Sequence, residues 1–252
     1  MQLYHRVLGE GKPLIILHGL FGSSDNWLSV GKVLAEKYKV FLVDQRNHGQ
    51  SPHSDEFNYT VMADDLQGFI DQQGIMEPDI LGHSMGGKTA MKFAIKYPEL
   101  WQKLIVVDIG PKYYPVHHRT ILDGLASIDL TSVASRGEAD KQLANYVPHP
   151  GVRQFLLKNL ARNENGFQWK INLPVIDRNI EIIGEALTDT YATDKDVLFI
   201  RGALSDYISD SDNTLIKTIF PSSSIATVDG AGHWVHAEKP QELLQLVLNF
   251  LT

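Results

Sequence analysis

Asp79-Ile80-Leu81-Gly82-His83-Ser84-Met85-Gly86-Gly87 decides how this chain folds. It reads as the end of a strand, a sharp turn and the start of a helix. Gly82-His83-Ser84-Met85-Gly86 fits the G-x-S-x-G pattern of a nucleophile elbow. A serine at the tip of so tight a turn has a strained backbone and almost no room beside it. Glycine two positions before and two after removes the Cβ atoms that would strike the adjoining strand and helix. The hydroxyl then projects clear of the sheet at a helix N-terminus, where unpaired N–H groups favour negative charge. The flanks agree: Pro78-Asp79 introduces the apolar Ile80-Leu81. Ala90, Phe93, Ala94 and Tyr97 recur at helical spacing until Pro98 stops the helix.

On either side, the same alternation of apolar run and amphipathic segment continues. Leu14–Leu17, Val40–Val43 and Leu104–Val107 are uninterrupted apolar runs, as expected of parallel strands covered on both faces. Leu3 to Leu8 is a candidate first strand, closed by the turn Gly9–Pro13. Between the runs, Asp25 is a plausible cap for a helix turning Trp27, Val30, Val33 and Leu34 inward. Thr60 is the expected cap for one carrying Met62, Leu66, Phe69 and Ile70. From Pro111 to about Asp196 no run resembles a buried strand. Ile121, Leu122 and Leu125, then Val152, Phe155, Leu156 and Leu160, are spaced for short helices. Strand-like runs resume at Val197–Ile200, Ile219-Phe220 and Ile225–Val228, and Pro240 opens a last helix with Leu243, Leu244, Val247, Leu248 and Leu251 inward. The alternation predicts an α/β fold with helices on both faces of a mostly parallel sheet. Residues 1–110 and 191–252 form the core, and 111–190 a helical cap inserted into it.

Composition narrows the chemistry. Of 252 residues, 43% are hydrophobic and 21% charged, enough for a sizeable core. A net charge of −7 and the lack of a Lys/Arg cluster argue against a nucleic-acid partner. The absence of cysteine excludes disulfides, thiolate metal sites and thiol catalysis. Met1–Gly11 has no apolar stretch of signal-peptide length, and no segment is long enough to span a bilayer. We therefore expect a cytoplasmic protein with no membrane partner.

A serine hydroxyl needs a base. In an open α/β sheet that base belongs on a loop at the carboxyl edge of the strands. Ala231-Gly232-His233-Trp234 directly follows the last expected strand, which makes His233 the candidate, with His236 in reserve. An acid must orient the imidazole. Asp108, at the end of the strand after the nucleophile, competes with Asp206, in the loop after Val197–Ile200. The usual spacing in that second loop puts the acid three residues past Gly202, where this chain has Ser205. Asp108 is the preferred candidate. An oxyanion hole needs two aligned N–H donors: Met85 supplies one and Leu20 the other, with Phe21 as alternative. The Phe21 side chain is expected to wall the acyl pocket. Asp44, Arg46 and His48 read as residues that hold a turn. The adjacent His117 and His118 lack a supporting carboxylate spacing and read as a polar surface of the insertion rather than a metal pair. Tyr113, Tyr114, Trp169 and Trp234 are candidates for lining a cleft or for ordinary packing.

Together, His18-Gly-Leu-Phe-Gly-Ser, Asp44-Gln-Arg-Asn-His-Gly, Gly82-His-Ser-Met-Gly-Gly, Val107-Asp-Ile-Gly-Pro and Gly232-His-Trp-Val-His resemble the α/β-hydrolase fold, and more closely the bacterial YbfF-type esterases. The resemblance runs the length of the chain. It implies an eight-stranded, mostly parallel sheet with a helical cap. The implied activity is serine esterase or acyl-thioesterase chemistry on a small-molecule ester or thioester, with no cofactor and no metal. It also favours Asp108 as the acid. Carbon–carbon bond cleavage on the same three residues, or a non-catalytic receptor using the capped cavity, are the alternatives.

Overall fold

Leu14, Ile15, Ile16 and Leu17 are all buried, and they alternate between two separate apolar clusters. That is what a strand covered on both faces requires. In the computed structural model, which describes residues 1–164, 166–188 and 194–252, they belong to β2 (Lys12–Leu17). β2 is preceded by the short β1 (His5–Leu8) and followed by a 3₁₀ turn, Ser24–Trp27, that leads into α1 (Leu28–Leu34). Next come β3 (Tyr38–Val43), α2 (Tyr59–Gln73), β4 (Asp79–His83), α3 (Met85–Lys96) and β5 (Leu104–Val107).

The insertion holds α4 (Arg119–Ala126), α5 (Arg136–Leu143), α6 (Pro150–Leu157), the hairpin β6 (Leu160–Asn163) and β7 (Gly166–Trp169), then α7 (Leu173–Arg178) and α8 (Ile180–Gly184). The core resumes with β8 (Val197–Gly202), α9 (Asn213–Ile219), β9 (Ser223–Val228), α10 (Val235–Glu238) and α11 (Pro240–Leu251).

Seven strands form the main sheet in the order β1-β3-β2-β4-β5-β8-β9. Only β1 runs antiparallel to its neighbour; the other five pairings are parallel. The expected count of eight is therefore corrected to seven among the described residues. A single short strand precedes β2 at that edge, and Ile219 and Phe220 end α9 and fill the core instead of adding a strand. The chain moves outward from β2 to β3, then returns to the other side of β2 as β4. This reversal opens a crevice at the carboxyl ends of β2 and β4, where ligands bind in open α/β sheets.

Helices α2, α3 and α9 pack one face of the sheet, and α1, α10 and α11 the other. A third cluster joins Leu122, Leu143, Leu156, Ile176 and Ile183 of the insertion to Phe21, Tyr59, Met62 and Met85. The insertion thus sits over the crevice. Its expected upper boundary, at residues 190/191, lies outside the described residues. The buried Lys88 of α3 fastens it from below: its Nζ donates to the carbonyls of Gly184 and Glu185 and lies 4.9 Å from the Tyr114 ring centre. Burial lowers its pKa to about 7.

Local details differ from the sequence reading for simple reasons. Asn58, not Thr60, caps α2, because its side chain accepts from the Val61 N–H at 3.0 Å. Ser23 rather than Asp25 precedes the first turn, its N–H donating to Asn26, while Asp25 pairs with Arg6. Val33 faces outward because α1 buries Val30, Gly31 and Leu34. No helix among the described residues is long and apolar enough to cross a membrane.

Candidate active site

The turn after β4 is as cramped as its sequence demands. A Cβ on Gly82 would strike the backbone of Gly86, and one on Gly86 would lie 2.5 Å from the carbonyl oxygens of Leu17 and His18. Ser84 between them has φ 52° and ψ −120°, a conformation non-glycine residues rarely adopt. Its N–H donates to the Val107 carbonyl at 3.0 Å, tying the turn to the end of β5. Among the described residues five non-glycines have positive φ, and three of them, Phe21, Ser84 and Asp108, stand at this crevice. Each such position costs about 1–3 kcal/mol, and this kind of strain gathers at functional sites.

Three side chains from separate loops meet there. The Ser84 Oγ lies 3.0 Å from His233 Nε2, and His233 Nδ1 lies 2.8 Å from Asp108 Oδ2. Asp108 is fully buried. Its carboxylate also accepts from the Gly202 N–H at 2.9 Å and from the Ser205 hydroxyl. As a pure acceptor it requires a proton on His233 Nδ1, which leaves Nε2 free to accept from Ser84. Asp206 is exposed, and no hydrogen bond joins it to His233 among the described residues. His236 is buried, stacked on Trp27 at 4.4 Å and edge-on to His83, and it is His233 that reaches the Ser84 hydroxyl.

The loop after β2 faces this trio. Phe21 N–H is already committed to His48 Nε2 at 3.2 Å, which leaves Leu20 as the available donor of the pair considered. Met85 opens α3, so its N–H has no partner within the helix. Both residues border the space above Ser84.

Ser84 lies between two cavities. The larger, about 230 Å³, is lined by Phe21, Val152, Phe155, His233 and Trp234; the smaller, about 30 Å³, by Met85, Tyr114, Val116, Ile180 and Ile183. His117, which is exposed as a surface residue of the insertion would be, and the half-buried His118 border both cavities. Among the described residues no group of His, Asp or Glu is arranged to hold a metal ion. Of the four aromatics named as cleft candidates, Trp234 and Tyr114 line cavities, Trp169 packs within the insertion and Tyr113 is exposed.

A family model described as the alpha/beta hydrolase fold matches residues 12–149. The chain belongs to the α/β-hydrolase family. Within it, the esterase YbfF of Escherichia coli is 35% identical over 96% of this chain and 94% of its own. The sn-1-specific diacylglycerol lipase ABHD11 of Mus musculus is 37% identical over 94% of this chain and 80% of its own. A solved structure, a marine microorganism esterase, superposes with a TM-score of 0.97 at 45% identity, covering 99% of each chain.

Several supports of this α/β-hydrolase site escape the sequence reading. His48 reads as a turn residue, and its Nδ1–H does donate to Arg46 at 2.9 Å; yet its other nitrogen reaches across 27 residues to fix Phe21. His18 works the same way, with Nδ1–H to the Gly19 carbonyl and Nε2 accepting from Gln45 N–H at 3.0 Å. His83 Nε2 lies 2.9 Å from the His233 carbonyl. Glu238 accepts from the N–H groups of Gly232 and Trp234, strapping the loop that carries His233. Tyr207 stacks on the His233 ring at 3.9 Å and 17°. Burial, with the nearby Asp108 charge, pushes the Tyr207 phenol up to about 12, so it stays neutral. Only Ser205 left a trace, as the serine standing where an acid is usual.

Burial also lowers the pKa values of His18 and His83, and takes those of His48 and His236 down to about 3. Geometry agrees for His18 and His48, whose Nε2 atoms accept and cannot do so when protonated. The unfolded chain takes up these protons first, near the ordinary value of 6.5. Stability is therefore complete above about pH 6.5 and falls as the pH drops toward 3. Urea midpoints should decline between pH 7 and pH 5, above the carboxylate range; a flat profile there would contradict neutral buried histidines.

Proposed function

We propose that this α/β-hydrolase cleaves carboxylic esters through an acyl-enzyme formed on Ser84. Its relatives are named esterases and a lipase, and the chain is a carboxylic ester hydrolase. The observation that carries the residue assignment is the unbroken chain of contacts from Ser84 Oγ through both nitrogens of His233 to Asp108. Ser84 attacks the acyl carbonyl while His233 Nε2 takes its proton. Asp108 holds the imidazole in the required tautomer and stabilises its positive charge. The N–H groups of Leu20 and Met85 receive the developing oxyanion. His233 returns the proton to the departing alcohol. It then activates water, which attacks the acyl carbon and frees the acid. Acyl thioesters follow the same course, with His233 returning the proton to the sulfur and a thiol departing. Residues from Pro111 to Thr188 act as a cap that shields the reaction from bulk water and shapes the substrate.

A panel of chromogenic esters, CoA thioesters and a β-diketone tests this reading against carbon–carbon cleavage. We expect ester turnover with the diketone inert. Inert esters with diketone turnover would reject it.

A further inference from the structure

The two cavities beside Ser84 differ in one chemically decisive respect. His233 and Trp234 line only the larger, whereas Met85 lines only the smaller. Collapse of the tetrahedral intermediate breaks the bond from the acyl carbon to the alcohol oxygen, and the proton held on His233 Nε2 goes to that oxygen. The leaving group must therefore stand within reach of His233, on the side of the larger cavity. The acyl substituent is left with the smaller one, at about 30 Å³. That is on the scale of one or two water molecules.

We propose that this enzyme is selective for short acyl groups, acetyl or propionyl, carried on bulky apolar alcohols. The division rests on Ser84 being the nucleophile and His233 the base. Tyr114, Val116, Ile180 and Ile183 close the acyl side. On the alcohol side, Phe21, Val152 and Phe155 give an apolar wall. That cavity shares Asn26, Val152, Phe155, Trp234 and His236 with an outer groove of about 590 Å³, which lies next in line for a long or polycyclic alcohol. Phe21, expected from the sequence to wall the acyl pocket, lines the larger cavity and so faces the alcohol. A filled apolar pocket discriminates by about 10- to 200-fold for one methylene in excess.

The test uses the intact enzyme and two series of substrates: 2-naphthyl acetate, butyrate and octanoate, then methyl and 2-naphthyl acetate. For the wild type, kcat/KM should fall at least about tenfold from acetate to octanoate and rise from methyl to naphthyl acetate. Ile183→Ala should raise the octanoate-to-acetate ratio about fivefold or more; Val116→Ala should act in the same direction and serves if the first variant does not fold. Val152→Trp should lower the naphthyl-to-methyl ratio and leave the acyl-length ratio unchanged. Octanoate cleaved as fast as acetate by the wild type, or a changed acyl-length ratio in Val152→Trp, would overturn the assignment. Ser84→Ala separates the two levels: turnover that needs Ser84 yet favours octanoate defeats only the division of the cavities, whereas turnover without Ser84 defeats the underlying mechanism.

Discussion

Replacing Ser84 with alanine is expected to lower kcat toward 2-naphthyl acetate by about 10⁵- to 10⁶-fold. The hydroxyl is the only group at the tip of the turn able to bond covalently with an acyl carbon, and it stands 3.0 Å from its base. The residual rate should stay above that in water, because the Leu20 and Met85 N–H groups and the cavity walls still bind the substrate. The fold should tolerate the change, since alanine deletes one oxygen and makes no new contact. The strained φ of 52° belongs to the turn and remains. Steady-state rates, with circular dichroism to confirm folding, give the answer. A loss below about tenfold would mean that water or another side chain attacks the ester.

Asp108→Asn is expected to cost about 10⁴-fold in kcat with little change in KM. The reason is the tautomer. Asp108 accepts from Gly202 N–H, from the Ser205 hydroxyl and from His233 Nδ1. An asparagine amide would present N–H₂ to one of these donors. Where it faces His233 it makes Nδ1 an acceptor, moves the proton to Nε2 and removes the base. The Ser205 contact adds a sharper test. Position 205 is where the usual spacing places the acid, and its side chain already touches the Asp108 carboxylate. Adding Ser205→Asp to Asp108→Asn should recover about tenfold or more of the lost rate, whereas Asp206→Asn alone should leave the rate within about twofold of wild type. A large loss in Asp206→Asn together with a small one in Asp108→Asn would transfer the acid's role to the exposed residue.

Much of this architecture is legible in the chain because its signals are local. Four-residue apolar runs mark β2, β3, β5 and β8, where burial on both faces suppresses polar alternation. Gly82 and Gly86 announce their turn because no side chain fits there. Order along the chain is enough to nominate His233, which follows the last strand of a parallel sheet. What was not legible depends on contacts between distant segments. Nothing near His48 says that it accepts from Phe21, and nothing near Glu238 distinguishes it from a solvated helix residue until it closes on the loop of His233. The hairpin β6–β7 is missed because Leu160–Asn163 is half polar and lies on the insertion, away from the main sheet, with Leu160 at helical spacing from Leu156. The count of eight strands, implied by the resemblance, fails at Ile219-Phe220, an apolar pair that reads as a strand but ends α9 and fills the core. His117 and His118 are polar in sequence yet border the cavities, because the insertion folds back over Ser84.

Catalysis as proposed runs through the Ser84 Oγ, the atom that becomes acylated. Treating the enzyme with an aryl fluorophosphonate and mapping the adduct by peptide mass spectrometry measures this directly. The prediction is one phosphonyl group per chain, on the peptide bearing Ser84, formed far more slowly in His233→Ala. Labelling at another residue, or no labelling of an enzyme that still turns over ester, would contradict it.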